Sequence, residues 1–263
     1  VEMAVYDLFA QLYKAPLYKI LGGGVPKITT DITISVDYID KMVADSLSAV
    51  ERGFETLKVK VGKDIGVDIE RVKAIYNAVA GKALIRLDAN QGWTAKEAVY
   101  ALHKLEDAGV RLELVEQPVK AQDLSGLKAV TCAVQTPVMA DESAFSPEQV
   151  IHLLQQQAAD IINIKLMKTG GISKAILMAQ IAGLYQVPCM MGCMLESAVS
   201  VAAAAHVASA MAPLITKFDL DGPALCQFNP CEGGTEFDQQ KIQLNSSPGL
   251  GILRIEHLEK PVF

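Results

Sequence analysis

The most constraining feature of the sequence is an eightfold recurrence of short apolar or β-branched runs, each followed by a turn or a helical pattern. The runs cover residues 32–36, 56–60, 84–88, 112–116, 137–141, 161–165, 188–192 and 215–219. They end at intervals of 24 to 28 residues, which is about the length of one strand–helix unit. The spacing therefore predicts parallel strands that alternate with helices.

Helical patterns of ten to fifteen residues lie between these runs. Examples are 68–79, 95–108 with Thr94 as N-cap, 147–156 opened by Ser146, and 172–183. A doubly wound sheet would alternate in the same way. However, seven nearly equal crossovers without a G-x-G-x-x-G after a strand favour closure into a TIM-like barrel. The 263 residues are also close to the ~250 that such a barrel needs.

Two end segments do not fit the repeat. Residues 1–21 predict a helix that stops at Gly22-Gly23-Gly24, before Pro26. After Asp221-Gly222-Pro223 the remaining residues predict loops and short strands. We expect both ends to pack outside the barrel. Because the chain begins at Val1 rather than at methionine, we also expect it to be part of a longer protein.

Composition excludes several classes of protein. A hydrophobic content of 51% and a charged content of 21% are typical of a globular domain with many buried strands. The net charge of −6, with no Lys/Arg run, argues against a nucleic-acid partner, and no apolar stretch reaches the ~18 residues of a membrane span. Five cysteines without paired spacing argue against a disulfide framework and predict a reducing, cytoplasmic location.

Charged and amide side chains lie at the ends of the predicted strands. They are Lys58, Lys60, Asp88, Asn90, Glu116, Asp141, Glu142, Lys165, Asp219 and Asp221. Any one of the aspartates could simply cap the loop after its strand. In a parallel barrel, however, the carboxyl ends of all strands face one mouth. Together these residues therefore predict a single charged site.

Asp88, Glu116 and Asp141 are the predicted metal ligands, because they supply hard oxygen donors from three consecutive strands and no His or Cys lies at those positions. Such donors suit Mg²⁺, with Mn²⁺ as a possible substitute. Asn90 and Asn163 are expected to lie just outside the ligands and to orient them.

Lysines flank this predicted metal site on the second and the sixth of the eight strands. Lys58 and Lys60 point the same way because the period of a strand is two residues, and Lys165 approaches from the opposite side of the barrel. Two neighbouring ammonium groups lower each other's pKa, so one of the pair is expected to be neutral near pH 7 and to act as a base. The alternative is that the pair is solvent-exposed at a strand edge.

The ordered set Lys58-x-Lys60, Asp88-x-Asn90, Glu116-Gln117-Pro118, Asp141-Glu142-Ser143 and Ile164-Lys165 with Gly170-Gly171 resembles the muconate lactonizing enzyme subgroup of the enolase superfamily. The resemblance implies an α/β fold with a (β/α)7β barrel over 25–225. It implies that 1–24 hold only the last helix of an N-terminal α+β capping domain, and that 226–263 pack outside the barrel or on the cap. It also implies that Lys60 and Lys165 transfer a proton α to a carboxylate, that a metal stabilises the enediolate, and that Lys58 tunes Lys60 and binds the carboxylate.

Asp219-x-Asp221, together with residues 192–197, resembles the dipeptide epimerases of this superfamily. The resemblance implies that the aspartate pair holds the α-ammonium group of a dipeptide, whose C-terminal Cα is inverted by 1,1-proton transfer. Cys193 and Met194 are then expected to line the pocket. The alternative for the pair is a turn before Gly222-Pro223. Members of the superfamily are often homo-oligomers, which leaves open a homo-oligomer here.

Other functions remain open from the sequence. An N-acylamino acid racemase, an o-succinylbenzoate synthase or a cycloisomerase would share the metal and the lysines but would need no partner for an ammonium group. An inert, truncated barrel is the alternative outside the enzymes. Glu196 is equally compatible with a site role and with a charge at a helix start, whereas His206 on an alanine-rich helix is expected to be a packing residue.

Overall fold

The computed structural model describes residues 1–257, so the last six residues of the predicted C-terminal tail lie outside the described part of the chain. The strands are β1 (Lys27–Thr29), β2 (Ile32–Ile34), β3 (Thr56–Lys60), β4 (Leu84–Asp88), β5 (Leu114–Glu116), β6 (Val138–Ala140), β7 (Ile161–Lys165), β8 (Cys189–Gly192), β9 (Ile215–Asp219), β10 (Cys231–Gly233), β11 (Thr235–Asp238), β12 (Lys241–Leu244) and β13 (Ile252–Ile255). The helices are α1 (Glu2–Leu12), α2 (Leu17–Ile20), α3 (Ile39–Glu51), α4 (Ile65–Val79), α5 (Ala95–Asp107), α6 (Leu124–Ala133), α7 (Pro147–Gln156), α8 (Leu166–Thr169), α9 (Ile172–Leu184) and α10 (Ala198–Ala210).

Strands β2 to β9 form one sheet in chain order, and every neighbouring pair is parallel. A helix or a helix pair follows each of the first seven strands, so the predicted (β/α)7β barrel is confirmed. Side chains help to close the sheet: Thr30 Oγ1 accepts the N–H of Leu220 at 2.7 Å, and Asp221 Oδ2 accepts the N–H of Thr33 at 2.8 Å. The strand ends are therefore held together at one mouth.

The local sequence signals explain where the helices begin. Thr94 and Glu97 form a reciprocal capping box at the start of α5, and the hydroxyl of Ser146 accepts a backbone N–H at the start of α7. Asp64 caps α4 in the same way, so this helix starts three residues before the predicted one. All eight predicted strands are present, although three of them are two residues shorter than predicted.

The prediction of one helix over 1–21 is wrong. The first helix, α1, ends at Leu12, Lys14 adopts a φ of 52°, and the short α2 starts only after Pro16. The physical reason is Pro16, which has no N–H to donate and disfavours the helical conformation at the residue before it. At the other end of the chain, β11 and β12 form a small antiparallel sheet with β1, and β10 pairs with β13.

The core lies between the barrel and its helices. Helix α10 is alanine-rich, and ten of its thirteen residues, Ala198 and all those from Val201 to Ser209, are buried. Small side chains let this helix pack closely on β8, on α2 and on the small sheet of β1, β11 and β12. Within residues 1–257, none of the helices combines the length and the apolar composition that crossing a bilayer requires.

Candidate active site

The register of the barrel places the charged strand ends at one level. Lys60 pairs with Asp88 across β3 and β4, and Asp88 pairs in turn with Glu116 on β5. On the far side, Lys165 pairs with Gly192, which pairs with Asp219 on β9. Because β3 and β7 are four strands apart in a sheet of eight, Lys60 and Lys165 approach the mouth from opposite sides.

Lys58 is the most enclosed of the lysines, with a side chain only 3% exposed. Its Nζ lies 2.6 Å from Asp219 Oδ2, 2.8 Å from Glu116 Oε2 and 3.0 Å from Asp88 Oδ2. A buried cation is stable only when opposite charges surround it, and these three carboxylates do so. Lys58 therefore binds several of the strand ends to one another.

Lys165 lies across the mouth and is only 5% exposed. Its Nζ lies 2.9 Å from Asp141 Oδ2 and 3.4 Å from Glu116 Oε1. A Cβ at position 192 would come within 2.8 Å of Lys165 Cε, so the glycine at the end of β8 provides the space that this side chain occupies. Lys165 is thus held against the carboxylates from one direction.

Lys60 is the more accessible partner, with a side chain 29% exposed. Its Nζ donates to Asp88 Oδ2 at 2.6 Å and to Asn90 Oδ1 at 2.7 Å. The amide of Asn90 donates in turn to Glu142 Oε1 at 3.3 Å. On the other side, Asn163 donates to Glu116 Oε1 at 2.9 Å, so both predicted orienting amides lie beside the carboxylates.

The expectation that Lys58 and Lys60 lower each other's pKa is wrong for Lys58. Burial lowers the pKa of Lys58, but the three surrounding carboxylates, of which Asp219 is the strongest, outweigh burial and hold this pKa well above its ordinary value. The pKa of Lys165 is likewise raised, because Glu116 and Asp141 outweigh burial. At both Lys58 and Lys165, the carboxylates of neighbouring strands therefore have a larger effect on the pKa than the positive charge of a nearby lysine has.

The carboxylates respond in opposite ways to the same arrangement. Burial would raise the pKa of Glu116, yet Lys58 and Lys165 hold it well below its ordinary value. The pKa of Asp219 is also lowered, chiefly by Lys58 against the effect of burial. By contrast, burial and the neighbouring Asp219 raise the pKa of Asp221 to about 6. Within residues 1–257, Asp219 is the member of this pair that forms a salt bridge, whereas Asp221 forms none and feels Lys58 only weakly.

The predicted metal ligands Asp88, Glu116 and Asp141 fit a hard divalent cation in chemistry and in burial. Asp141 Oδ1 is buried with no hydrogen-bond partner within residues 1–257. Burial also raises the pKa of Asp141 to about 6, because the ion pair with Lys165 offsets the burial only in part. Among the described side chains no three acidic, histidine or cysteine groups are arranged to hold a metal ion, and the ammonium groups of Lys58 and Lys165 lie between the carboxylates.

Asp219 and Asp221 form one wall of a pocket of about 260 Å³ at the mouth. The carboxylate of Asp219 binds Lys58, and that of Asp221 accepts the backbone N–H of Thr33, so the two side chains are not occupied in capping the turn that follows them. The predicted Cys193 and Met194 also line this pocket, with Leu195 and Leu225 beside them. This wall is therefore acidic in its depth and apolar at its rim.

The sequence assigns no individual role to three residues of the mouth, although Glu142 is among its charged strand ends. Lys168 on α8 donates to Asp141 Oδ2 at 2.9 Å, and its position three residues after Lys165 is the sequence signal that could have identified it. Glu142 lines the pocket next to Asn90. Buried Gln117, at a φ of 37°, accepts the N–H groups of Asp141 and Ser143 and so fixes the loop after β6. Neither sequence spacing nor hydropathy indicates that role.

Glu196, whose role the sequence left open, and His206, which the sequence predicts to be a packing residue, both make structural contacts. Glu196 is buried, and its carboxylate accepts from the N–H of Met194 at 2.8 Å and from the hydroxyl of Ser200. His206 accepts the N–H of Tyr18 on Nδ1 at 3.0 Å and stacks on the ring of that tyrosine. Both therefore hold loops and helices in place around the barrel.

The chain belongs to the Enolase C-terminal domain-like family, whose model matches residues 41–255. The matched region contains every charged strand end of the mouth described above. The fold and the family thus agree with the class of protein that the strand-end residues predict.

The chain is similar to an L-Ala-D/L-Glu epimerase of Clostridium acetobutylicum, with 52% identity over 252 residues. The matched region covers 96% of this chain and 70% of the relative. It is also similar to the substrate-liganded structure of the L-Ala-D/L-Glu epimerase of Bacillus subtilis, with a TM-score of 0.95 and 48% identity over 97% of this chain and 71% of that one. A dipeptide epimerase of Enterococcus faecalis, solved with Mg and L-Leu-L-Tyr, has a TM-score of 0.92 at 45% identity and covers 95% of this chain and 71% of that one.

Proposed function

We propose that the chain is a Mg²⁺-dependent dipeptide epimerase, an isomerase that inverts the Cα of the C-terminal residue of a dipeptide by 1,1-proton transfer. The observation that carries the proposal is the placement of Lys60 and Lys165 on opposite sides of one pocket that also contains Asp219 and Asp221. Two bases on opposite faces of a carbon allow a proton to leave from one face and return on the other. The relatives named above, which are dipeptide epimerases, support the same reaction.

The substrate is bound by its two charged ends. The α-ammonium group binds Asp221, whose carboxylate forms no salt bridge within residues 1–257, and Asp219 contributes a second negative charge. The carboxylate group lies toward Lys58, which is buried and remains an ammonium because its pKa is raised. Two opposite charges held at fixed positions place the C-terminal Cα between Lys60 and Lys165.

Asp88, Glu116 and Asp141 would hold the Mg²⁺, and Asn90 and Asn163 would orient these ligands. Bound there, the cation would supply positive charge that stabilises the second negative charge developing on the substrate carboxylate. The Mg²⁺ in the solved relative supports this assignment. Substitution by Mn²⁺ is part of the same proposal and follows from the shared preference for oxygen donors.

The proton transfer itself belongs to the two lysines. In one direction, the neutral amine of Lys60 takes the α-proton, and the ammonium of Lys165 returns a proton to the opposite face of the enediolate. In the other direction, their roles exchange. The first transfer breaks the Cα–H bond and forms an N–H bond on Lys60, and the second breaks an N–H bond on Lys165 and forms the new Cα–H bond. Lys60 then releases a proton to water and Lys165 takes one up, so the product differs from the substrate only in configuration and no co-reactant is consumed.

The proposal is tested by incubating the protein with Mg²⁺ and dipeptides that vary at both positions, in D₂O. The expected result is one deuterium at Cα of the C-terminal residue, together with the appearance of the second epimer. N-Acetylated copies of the same dipeptides are the matched control, because they keep the carboxylate but lose the ammonium group. The absence of deuterium in every dipeptide would contradict the proposal.

An N-acylamino acid racemase is the second candidate, because an N-succinyl-L-Arg/Lys racemase of Bacillus cereus is 32% identical to the chain. The aspartate pair argues against it, since an acylated substrate carries no ammonium group for Asp219 and Asp221 to bind. D219N separates the two candidates: it strongly reduces the exchange of a free dipeptide, but it has a smaller effect on an acylated amino acid.

We also propose the domain division predicted above, with a catalytic barrel over 25–225, a helical remnant of a capping domain over 1–24 and a tail over 226–263. The five cysteines are free thiols, which supports a reducing, cytoplasmic location. A homo-oligomer is a further prediction, and light scattering of the purified protein would test it.

A further inference from the structure

The helix that follows the Lys165 loop, α9, begins without a cap of its own. Its N-cap is Gly171, which has no side chain, and its first turn contains no acidic residue. The first N–H groups of a helix have no partner within the helix, and they carry a partial positive charge. A cap for α9 therefore has to come from another part of the chain.

Glu2, on α1, provides that cap from 170 residues away. Its Oε2 accepts the N–H of Ile172 at 2.5 Å, and its Oε1 accepts the N–H of Ser173 at 3.2 Å. One turn further along α1, the hydroxyl of Tyr6 lies 2.9 Å from Ser173 Oγ. One face of α1 thus binds the first turn of α9 through three polar contacts.

The fit between Glu2 and the start of α9 depends on a glycine. Gly171 has a φ of 131°, and a Cβ built at this position would lie 1.7 Å from Glu2 Oε2. Any side chain at 171 would therefore displace the carboxylate. Gly171 therefore does more than turn the chain, because its lack of a side chain leaves room for the carboxylate of Glu2.

The capped turn is joined directly to the proposed proton-transfer group. Lys165 is the last residue of β7, α8 follows it at once, and Lys168 on α8 donates to Asp141. At the end of α8, the hydroxyl of Thr169 donates to the carbonyl oxygen of Gly171 at 3.3 Å. The segment 165–173 is therefore fixed at one end by the barrel and at the other end by Glu2.

We propose that Glu2 is a positioning residue for Lys165, which it holds in place through the segment 165–173. The inference rests on the proposed function, in which Lys165 handles the proton on one face of the substrate. Lys60, on the other face, is held by Asp88 and Asn90 and belongs to a different strand. Loss of the Glu2 carboxylate should therefore disturb proton transfer on the Lys165 face alone.

The test compares E2Q with D7N. Asp7 is also an α1 carboxylate that accepts a backbone N–H, that of Leu250 at 2.7 Å, so D7N loosens α1 without touching α9. The loss of the α-proton to D₂O is measured separately for the two epimers of one dipeptide, and K165A identifies the epimer that depends on Lys165. E2Q is expected to lower kcat for that epimer about fivefold to tenfold, with KM and the other epimer nearly unchanged. D7N is expected to affect both epimers alike.

G171A is the second variant, because it displaces Glu2 without changing its charge, and it is expected to cause the same one-sided loss. Equal slowing of both epimers in E2Q and G171A, or no slowing of either, would overturn the inference.

Hydrogen–deuterium exchange of the backbone amides of 166–173 is the readout that does not depend on turnover. Faster amide exchange in E2Q but not in D7N is expected, and unchanged exchange in E2Q would overturn the inference. If amide exchange is faster but no dipeptide loses a proton even in the unmodified protein, the proposed function is contradicted and the anchoring by Glu2 is not.

Discussion

The Nζ of Lys58 lies 2.6 Å from Asp219 Oδ2, so a single ammonium group joins β3 to β9 across the strand between them. The same Nζ is within 3.0 Å of carboxylates at the ends of β4 and β5. One buried cation on β3 thus faces carboxylates at the ends of three other strands. The ion pairs at the mouth of the barrel therefore form part of the candidate active site and also hold the strand ends together.

K58M should strongly destabilise the protein, because it leaves three buried carboxylates without their shared cation. We expect the free energy of unfolding at pH 7, measured in urea without Mg²⁺, to fall by about 3–5 kcal/mol. K60M is the matched control, since Lys60 is partly exposed and ion-pairs with one carboxylate, Asp88, among the described residues. Equal losses for K58M and K60M would contradict the role assigned to Lys58.

K168M should tighten the binding of Mg²⁺. Lys168 Nζ lies 2.9 Å from Asp141 Oδ2 and competes for a proposed ligand, so its removal lowers the cost of bringing a cation there. We expect the Kd for Mg²⁺, measured by titration calorimetry, to fall about tenfold, which corresponds to about 1.4 kcal/mol. K174M, at an exposed lysine of α9, should leave the Kd unchanged. Weaker binding in K168M would show that Lys168 supports the site rather than competes within it.

The KM for a dipeptide should depend on the ionisation of Asp221. Burial and Asp219 raise the pKa of Asp221 to about 6 in the absence of substrate. Above that pH the carboxylate is charged and binds the α-ammonium group, whereas below it the proton must be displaced first. We therefore expect KM to rise about tenfold for each pH unit below 6.

An N-acetylated dipeptide, which has no ammonium group, should give a KM that is nearly independent of pH over the same range. D221N should raise the KM for the free dipeptide and remove most of its pH dependence. Parallel pH profiles for the free and the acetylated substrate would show that Asp221 does not bind the ammonium group.

His206 should make the stability of the fold depend on pH. Burial lowers its pKa from 6.5 to about 4, and the N–H of Tyr18 bonds to the unprotonated Nδ1. Between these pH values the unfolded chain takes up a proton that the folded chain does not. The free energy of unfolding should therefore be constant with respect to this group above pH 6.5 and should fall by about 3 kcal/mol as the pH decreases to 4.

H206N has no titrating group at this position, so its stability should decline less steeply than that of the unmodified protein between pH 6.5 and 4. Urea unfolding at half-unit pH steps measures the difference. Parallel curves for the two proteins would mean that His206 does not titrate differently in the folded and the unfolded state.

The sequence predicts most of the barrel because its strands are short, buried and evenly spaced, and because caps such as Thr94 are local signals. Residues at the strand ends could be assigned to one mouth for the same reason. The helix break near Pro16 was missed because the apolar pattern of α1 continues toward it. Glu2 caps α9, and Gln117 forms hydrogen bonds with the loop after β6, through tertiary contacts that no local sequence pattern encodes.

The raised pKa of Lys58 was also beyond the sequence. Spacing along β3 identifies Lys60 as its neighbour on the same face, but the three carboxylates that decide the pKa come from β4, β5 and β9. Their distances follow from the register and the closure of the barrel. Electrostatics of this kind can be predicted only after the strands have been placed relative to one another.

The central claim is that Lys60 and Lys165 act on opposite faces of one carbon. The most direct measurement is the rate at which each of two dipeptide epimers loses its α-proton to D₂O in K60A and in K165A, with Mg²⁺ present. The account predicts that each variant stops epimerisation, yet still exchanges the proton of one epimer, and that the two variants retain opposite epimers. If both variants exchanged the same epimer, or if either still interconverted the two epimers at the unmodified rate, the two-base account would be contradicted.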